Sequence, residues 1–383
     1  MMTHGDNLPW ELTEEILSCV PPKSLVRFRA VSKQWNALFH DKTFINNHKS
    51  TFRFILKTKS KIYSVSIDPK IVVRELTLDI PGLESQIPND VVDCDAFLLC
   101  GMDKGAAVWN PWLNRATWFE AEVSQPKLRI DGIGYDSNKR SHENVYKTVW
   151  YRPRISVLEH TTWKIHDYAS DAWNEVVSES GGGDEQGRKR PTLHSKSSVS
   201  LNGTLYWVTY VEETDPASYF LSKLDLSTEK FLRFCDLPFG MNHPRNALVL
   251  RVFKGDRFSL LTQCYVTKKI EVWVTKNKIN HEDDVVWMSL MTFSDPDLPS
   301  LVETISYSQP SYFVDDKRLV VCSCDENGRA WVYVMGENKL ISKTRIDSVV
   351  DKWPTHCTYF PSLAPIPRSQ RQKRKRDESE EEA

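Results

Sequence analysis

The hydrophobic positions of this chain change period once. Over residues 8–48 they fall three and four apart, and from Phe52 onward they alternate with polar ones. The first spacing predicts short amphipathic helices, the second half-buried strands. Pro9 stands where a helix can begin without losing a needed N–H, and Leu12, Ile16 and Leu17 then share one face. Pro21-Pro22 stops that helix. Ser24 is placed to cap a second helix carrying Leu25 and Phe28, and Ser32 a third carrying Trp35, Leu38 and Phe39. Asp41 is placed to cap a last turn with Phe44 and Ile45. About 40 residues in such short helices cannot bury all these apolar groups among themselves. Either the rest of the chain covers them or an external partner does, and pattern alone leaves both open.

The alternating region contains strand–turn–strand units that begin at Phe52, Ala107, Trp163, Phe220, Ile270 and Ala330. A recurrence of roughly 50 residues with room for four strands predicts propeller blades. Further strands lie between the units. Ser198–Leu201 and Thr204–Val208, for example, flank Asn202-Gly203, a pair that favours a two-residue hairpin turn. The competing architecture is a large β-sandwich, or two smaller β domains without a true repeat. The expected fold class is therefore mainly β with a small all-α N-terminal module, the body being β-propeller-like.

The residues of the head carry a resemblance. Leu8-Pro9-Trp10-Glu11-Leu12, Glu15-Ile16-Leu17, Val20-Pro21, Ser24-Leu25-Val26-Arg27-Phe28-Arg29 and Val31-Ser32-Lys33-Gln34-Trp35 closely resemble the F-box. Cys19-Val20 stands where Arg-Leu is common in that family, and Ser32 where Cys is common. The resemblance implies docking on the Skp-type adaptor of a cullin–RING ubiquitin ligase, the SCF class. It implies that Leu8, Pro9, Ile16, Leu17, Pro21, Leu25, Val31 and Trp35 form or support the adaptor interface. In the body, Val108-Trp109-Asn110-Pro111, Gly132-Ile133-Gly134-Tyr135-Asp136 and Leu201-Asn202-Gly203-Thr204-Leu205-Tyr206-Trp207 are similar to the F-box-associated, kelch-like domain of flowering-plant F-box proteins. Together these imply a substrate-recognition subunit, with an F-box module over 1–50, the kelch-like domain over 51–365 and a disordered tail over 366–383. A non-catalytic scaffold without a degradation role is the alternative.

Composition adds little against this. The net charge of −1, from 50 basic and 51 acidic residues, favours no nucleic-acid partner. No run of 18 apolar residues predicts a membrane span, and the polar start has no secretory pattern. The eight cysteines show no framework spacing and read as reduced core thiols in the cytosol or nucleus. Tryptophan, at 13 residues, suits β architecture.

Enzyme chemistry finds no constellation. Cys322-Ser323-Cys324 is the one close thiol pair and lacks a second pair or a nearby His, so neither metal nor cofactor is expected. His160 and His166 suit no ligand spacing, and Asp283-Asp284 and Asp315-Asp316 read as hairpin tips. The Gly-rich stretch 178–191 lacks the spacing of a phosphate loop and reads as surface loop. In the tail, Lys373, Arg374, Lys375 and Arg376 form a compact basic cluster of nuclear-import type, followed by an acidic run around Ser379. The expected location is nuclear, cytoplasmic or both. The substrate protein is not readable.

Overall fold

The computed structural model describes residues 8–80, 86–94, 97–120, 128–135, 146–152, 162–168, 170, 172–176, 192–193, 198–211, 217–243, 245–279, 285–301, 309–315 and 317–366. The head holds α1 (Trp10–Cys19), α2 (Pro22–Phe28), α3 (Lys33–Leu38) and α4 (Lys42–Asn47). Ser32 caps α3 by accepting from the Trp35 N–H, and Asp41 caps α4 by accepting from the Thr43 N–H, as the sequence predicts. Ser24 does not cap α2. Pro21 takes the cap position and Pro22 the first helical one, where a fixed φ and a missing N–H cost nothing. Ser24 thus lies within the first turn, its N–H bonded to the Pro21 carbonyl at 2.8 Å.

Six antiparallel sheets follow. The first is opened by β1 (Phe54–Lys57), β2 (Ile62–Ser66) and β3 (Val72–Leu76). The second is β4 (Asp90–Cys94), β5 (Phe97–Met102), β6 (Gly105–Asn110) and β7 (Arg115–Glu120). The third is β8 (Arg129–Tyr135), β9 (Tyr146–Arg152), β10 (Thr162–Asp167) and β11 (Ala172–Glu175). The fourth has β12 (Thr192–Leu193) and β13 (Val199–Leu201), both paired with β14 (Thr204–Val211), then β15 (Ala217–Asp225) and β16 (Lys230–Asn242). The fifth is β17 (Ala247–Phe253), β18 (Arg257–Gln263), β19 (Ile270–Thr275) and β20 (Trp287–Phe293). The sixth is β21 (Ser311–Val314), β22 (Arg318–Cys324), β23 (Ala330–Gly336) and β24 (Lys339–Arg345). The last strand, β25 (Thr355–Thr358), returns to pair with β1 as the inner strand of the first sheet.

The inner strands β25, β4, β8, β13, β17 and β21 each touch the next around a closed ring. This is a six-blade propeller, in which radial packing leaves sheet edges only at the inner and outer strand of each blade. Five of the six sequence units match the third and fourth strands of their blades. The unit at Phe52 is one strand out of phase, holding the second and third. The chain's end supplies that blade's inner strand, so the N-terminal segment enters the repeat at its second position.

The core lies between blades. Trp150, Trp163, Trp207 and Leu205 form one apolar cluster joining blades two to four. Trp109, Trp150 and Trp207 are among the largest wholly buried side chains, and burying each contributes about 2–3 kcal/mol. The glycines of the Gly-x-Gly-Tyr motif belong to a tight joint. A Cβ on Gly134 would stand 2.3 Å from the Gly203 carbonyl oxygen, while the Tyr135 N–H donates to that same oxygen at 2.9 Å. Asn202 and Gly203 both take positive φ, 52° and 82°, in the predicted hairpin turn. Two motifs far apart in sequence therefore form a single inter-blade contact.

Candidate functional site

The head turns two faces in different directions. Leu17, Leu25, Leu38, Phe39, Phe44 and Ile45 are buried, clustered with Phe52, Trp109, Trp112 and Tyr359 of the ring. Leu8, Leu12, Ile16 and Val31 point outward, 52%, 47%, 55% and 61% exposed. Pro9 and Pro21 are also exposed, and Trp35 is half-buried with its ring 5.7 Å from that of Phe28. Of the eight residues implied by the F-box resemblance, Leu17 and Leu25 face inward and Leu8, Pro9, Ile16, Pro21 and Val31 face solvent. Leu12 belongs with the outward group although it is not among those eight. Its signal was the four-residue spacing to Ile16 within α1, which puts those two on one face, while Leu17, expected on the same face, turns inward instead.

A clasp seats the head on blade two. His48 is buried, and burial holds its imidazole below the ordinary pKa. Its Nδ1 accepts from the Ser50 N–H at 3.2 Å, which assigns the proton to Nε2, 2.9 Å from the Val20 carbonyl. The Trp112 ring meets that imidazole edge-on at 5.1 Å and donates its Nε1–H to Ser50 Oγ at 3.0 Å. Asn110 then ties this blade to the segment after β25. Its Nδ2 donates to the Ser362 carbonyl at 2.9 Å, and its Oδ1 accepts from the Tyr359 hydroxyl at 2.9 Å. The Asn-Pro motif is thus a tether for the chain's return.

The entry of β1 and the exit of β25 lie at one end of the ring, beside the head. Adjacent strands are antiparallel, so the turns linking first to second and third to fourth strands share that end in every blade. The remaining loops form the far end. Between the ends, Arg251 of blade five reaches Asp93 of blade two, Nε to Oδ2 3.9 Å, and Thr358 of blade one donates to the same Asp93 oxygen at 2.9 Å. Arg251, at 11% side-chain exposure, faces across the ring axis.

Among the described residues no group of three or more His, Cys, Asp or Glu is placed to hold a metal. No described helix is long and apolar enough to cross a membrane. Cys322 and Cys324 are buried core thiols, and burial pushes Cys324 up to about 12. His166 stacks on Trp173 at 4.8 Å. Asp315 accepts from Arg318, which also pairs with Asp68. His160, Asp283, Asp284, Asp316, the stretch 178–191 and the basic cluster Lys373–Arg376 lie outside the described residues.

A short-helix head seated on a closed six-blade ring defines a two-part architecture. The F-box domain family matches residues 6–47, and the F-box associated beta propeller domain family matches residues 53–366. The chain belongs to the F-box proteins that carry this propeller. It is 58% identical over 368 residues to the F-box protein At2g14710 of Arabidopsis thaliana, covering 96% of each chain. It is 59% identical to the F-box/kelch-repeat protein At3g16580 of the same plant, covering 96% of this chain and 95% of the other. To the Arabidopsis protein SUPPRESSOR OF NIM1 1 it is 41% identical, covering 94% and 98%.

Proposed function

We propose that this protein is the non-catalytic substrate-recognition subunit of an SCF-type cullin–RING ubiquitin ligase. The head docks on a Skp-type adaptor and the ring holds a target protein for ubiquitination. One observation carries this reading: the head is covered by its own ring on one side and still presents Leu8, Leu12, Ile16 and Val31 to solvent. Self-packing accounts for Leu17 and Leu25 and leaves the outward group without a partner. Exposed apolar anchors of that size contribute about 1–3 kcal/mol each to a docked complex.

The test is capture of a purified Skp-type adaptor by the full chain and by a variant carrying Leu8→Ala with Pro9→Ala. The expected result is loss of capture with an unchanged circular dichroism spectrum. Equal recovery of adaptor by both chains sinks the assignment.

The basic cluster Lys373, Arg374, Lys375 and Arg376 serves nuclear import in this reading, its compact charge being what import receptors bind. Replacing all four by Ala shifts a fluorescent fusion toward the cytoplasm. An unchanged nuclear-to-cytoplasmic ratio assigns localisation elsewhere.

A further inference from the structure

At the far end of blade five, two loops are fastened into a ridge. Gln263 is wholly buried at its base. Its Nε2 donates to the carbonyls of Lys268 at 2.9 Å and Pro299 at 2.8 Å, and its Oε1 accepts from the Leu301 N–H at 2.6 Å. Asn246 Oδ1 accepts from the Tyr265 N–H at 3.0 Å, joining the turn before β17 to the loop after β18. On this support the His243 ring stacks on the Tyr265 ring at 4.4 Å, and the Arg245 guanidinium sits 5.8 Å from the centre of the same ring. Val266, next in the chain, is 66% exposed.

The charges of the ridge are not equivalent. Lys268 donates to Ser300 at 3.0 Å, and Lys269 pairs with Glu271 at 2.6 Å. Arg245 is exposed and has no carboxylate partner among the described residues. A guanidinium held over an aromatic face keeps its donor fork free for a planar, bidentate anion. One free fork matches the single charge of a carboxylate. A phosphate dianion would call on a second cation; Lys269 is paired with Glu271, and the Lys268 ammonium, still charged, is held against Ser300 Oγ. Val266, next to Tyr265 in the chain, adds an exposed apolar side chain to the same loop.

We infer that His243, Arg245, Tyr265 and Val266 form the docking contact for an acidic segment of the captured protein, one in which a carboxylate side chain adjoins an apolar one. This rests on the recognition role proposed above and locates it at the end of the ring away from the head.

The test uses the full chain and fluorescence anisotropy. The probe is a labelled octapeptide in which glutamate alternates with leucine. Two further peptides replace glutamate by lysine or by phosphoserine. The glutamate peptide is expected to bind saturably and to weaken as salt rises, since rim charge is screened. Arg245→Glu should lower its affinity about tenfold, and Arg245→Lys by a smaller factor because the fork is lost while the charge remains. Adaptor capture should not change in either variant. Equal binding by wild type and Arg245→Glu overturns the proposal, as does binding of the lysine peptide alone or the phosphoserine peptide alone. Failure of the wild type to capture adaptor, with glutamate binding intact, counts against the ligase reading and leaves the ridge standing.

Discussion

The head and the ring treat their apolar side chains differently. The head leaves Leu8, Leu12, Ile16 and Val31 uncovered within a few short helices. The ring, several times longer, leaves only scattered side chains such as Val266, Met288, Ile341 and Val350. Its blades bury one another, and closure gives every blade two neighbours. The head meets the ring on one side only, at Phe52, Trp112 and Tyr359, and Leu8, Leu12, Ile16 and Val31 on its other side stay exposed. In the reading proposed above, that uncovered side is where the adaptor docks.

Opening the ring should break this comparison most severely. Ending the chain after Pro354 removes β25, leaving β1 with a bare edge and Asp93 without the Thr358 hydroxyl. The expected outcome is loss of the cooperative melt by calorimetry. A truncated chain that melts as sharply and as high as the full one would mean that the blades stand independently. Next in size is Leu25→Ala on the covered side of the head. It should cost about 2–5 kcal/mol, the usual range for a buried leucine, read as a lower midpoint in urea. A change below 0.5 kcal/mol would place Leu25 outside the shared core.

A pH titration sharpens the comparison within the ring. Asp131 is buried, and burial pushes its carboxyl up to about 7, against the hydrogen bonds from Trp207 and Ser198 that lower it. The folded chain therefore holds this proton where the unfolded chain has released it. Stability from this group is fully present below about pH 4 and lost as pH rises toward 7. Asp131→Asn keeps an oxygen for the Trp207 Nε1–H, 2.6 Å away in the wild type, and removes the titration. The stability of the variant relative to wild type should thus rise by on the order of 2 kcal/mol between pH 5 and 8. A constant difference across that range would mean that the carboxyl is already ionised at pH 5. Smallest on stability is Leu12→Ala with Ile16→Ala on the uncovered side, at about 0.5 kcal/mol or less, while adaptor capture falls. A midpoint shift as large as that of Leu25→Ala would show the two sides to be one core.

Much of this arrangement was legible in the sequence. Spacing and caps gave α1, α3 and α4, because helix faces and caps are local. Blade repetition was legible because each hairpin is local as well. The position of the first unit in its blade was not. Thr355-His356-Cys357-Thr358 is short, carries no strong alternation and pairs with a strand at the other end of the chain. No window of sequence contains that register. The ridge was missed for a similar reason, since His243 and Tyr265 lie in different loops and meet through Asn246. The motifs, by contrast, were visible before their purpose was. Only the geometry shows that Gly134 makes room for Gly203 and that Asn110 holds the returning tail.

The pairing of Phe54–Lys57 with Thr355–Thr358 also sets a timetable. β1 leaves the ribosome about 300 residues ahead of its inner partner. At about 5–20 residues per second, the intervening 300 or so residues take roughly 15–60 s. Throughout that interval the strand Phe-Ile-Leu-Lys shows an unsatisfied edge, a template for pairing with any neighbouring nascent chain. The length of this exposure is set by translation speed and not by stability, so slowing elongation should raise aggregation of newly made protein while leaving the finished ring unchanged.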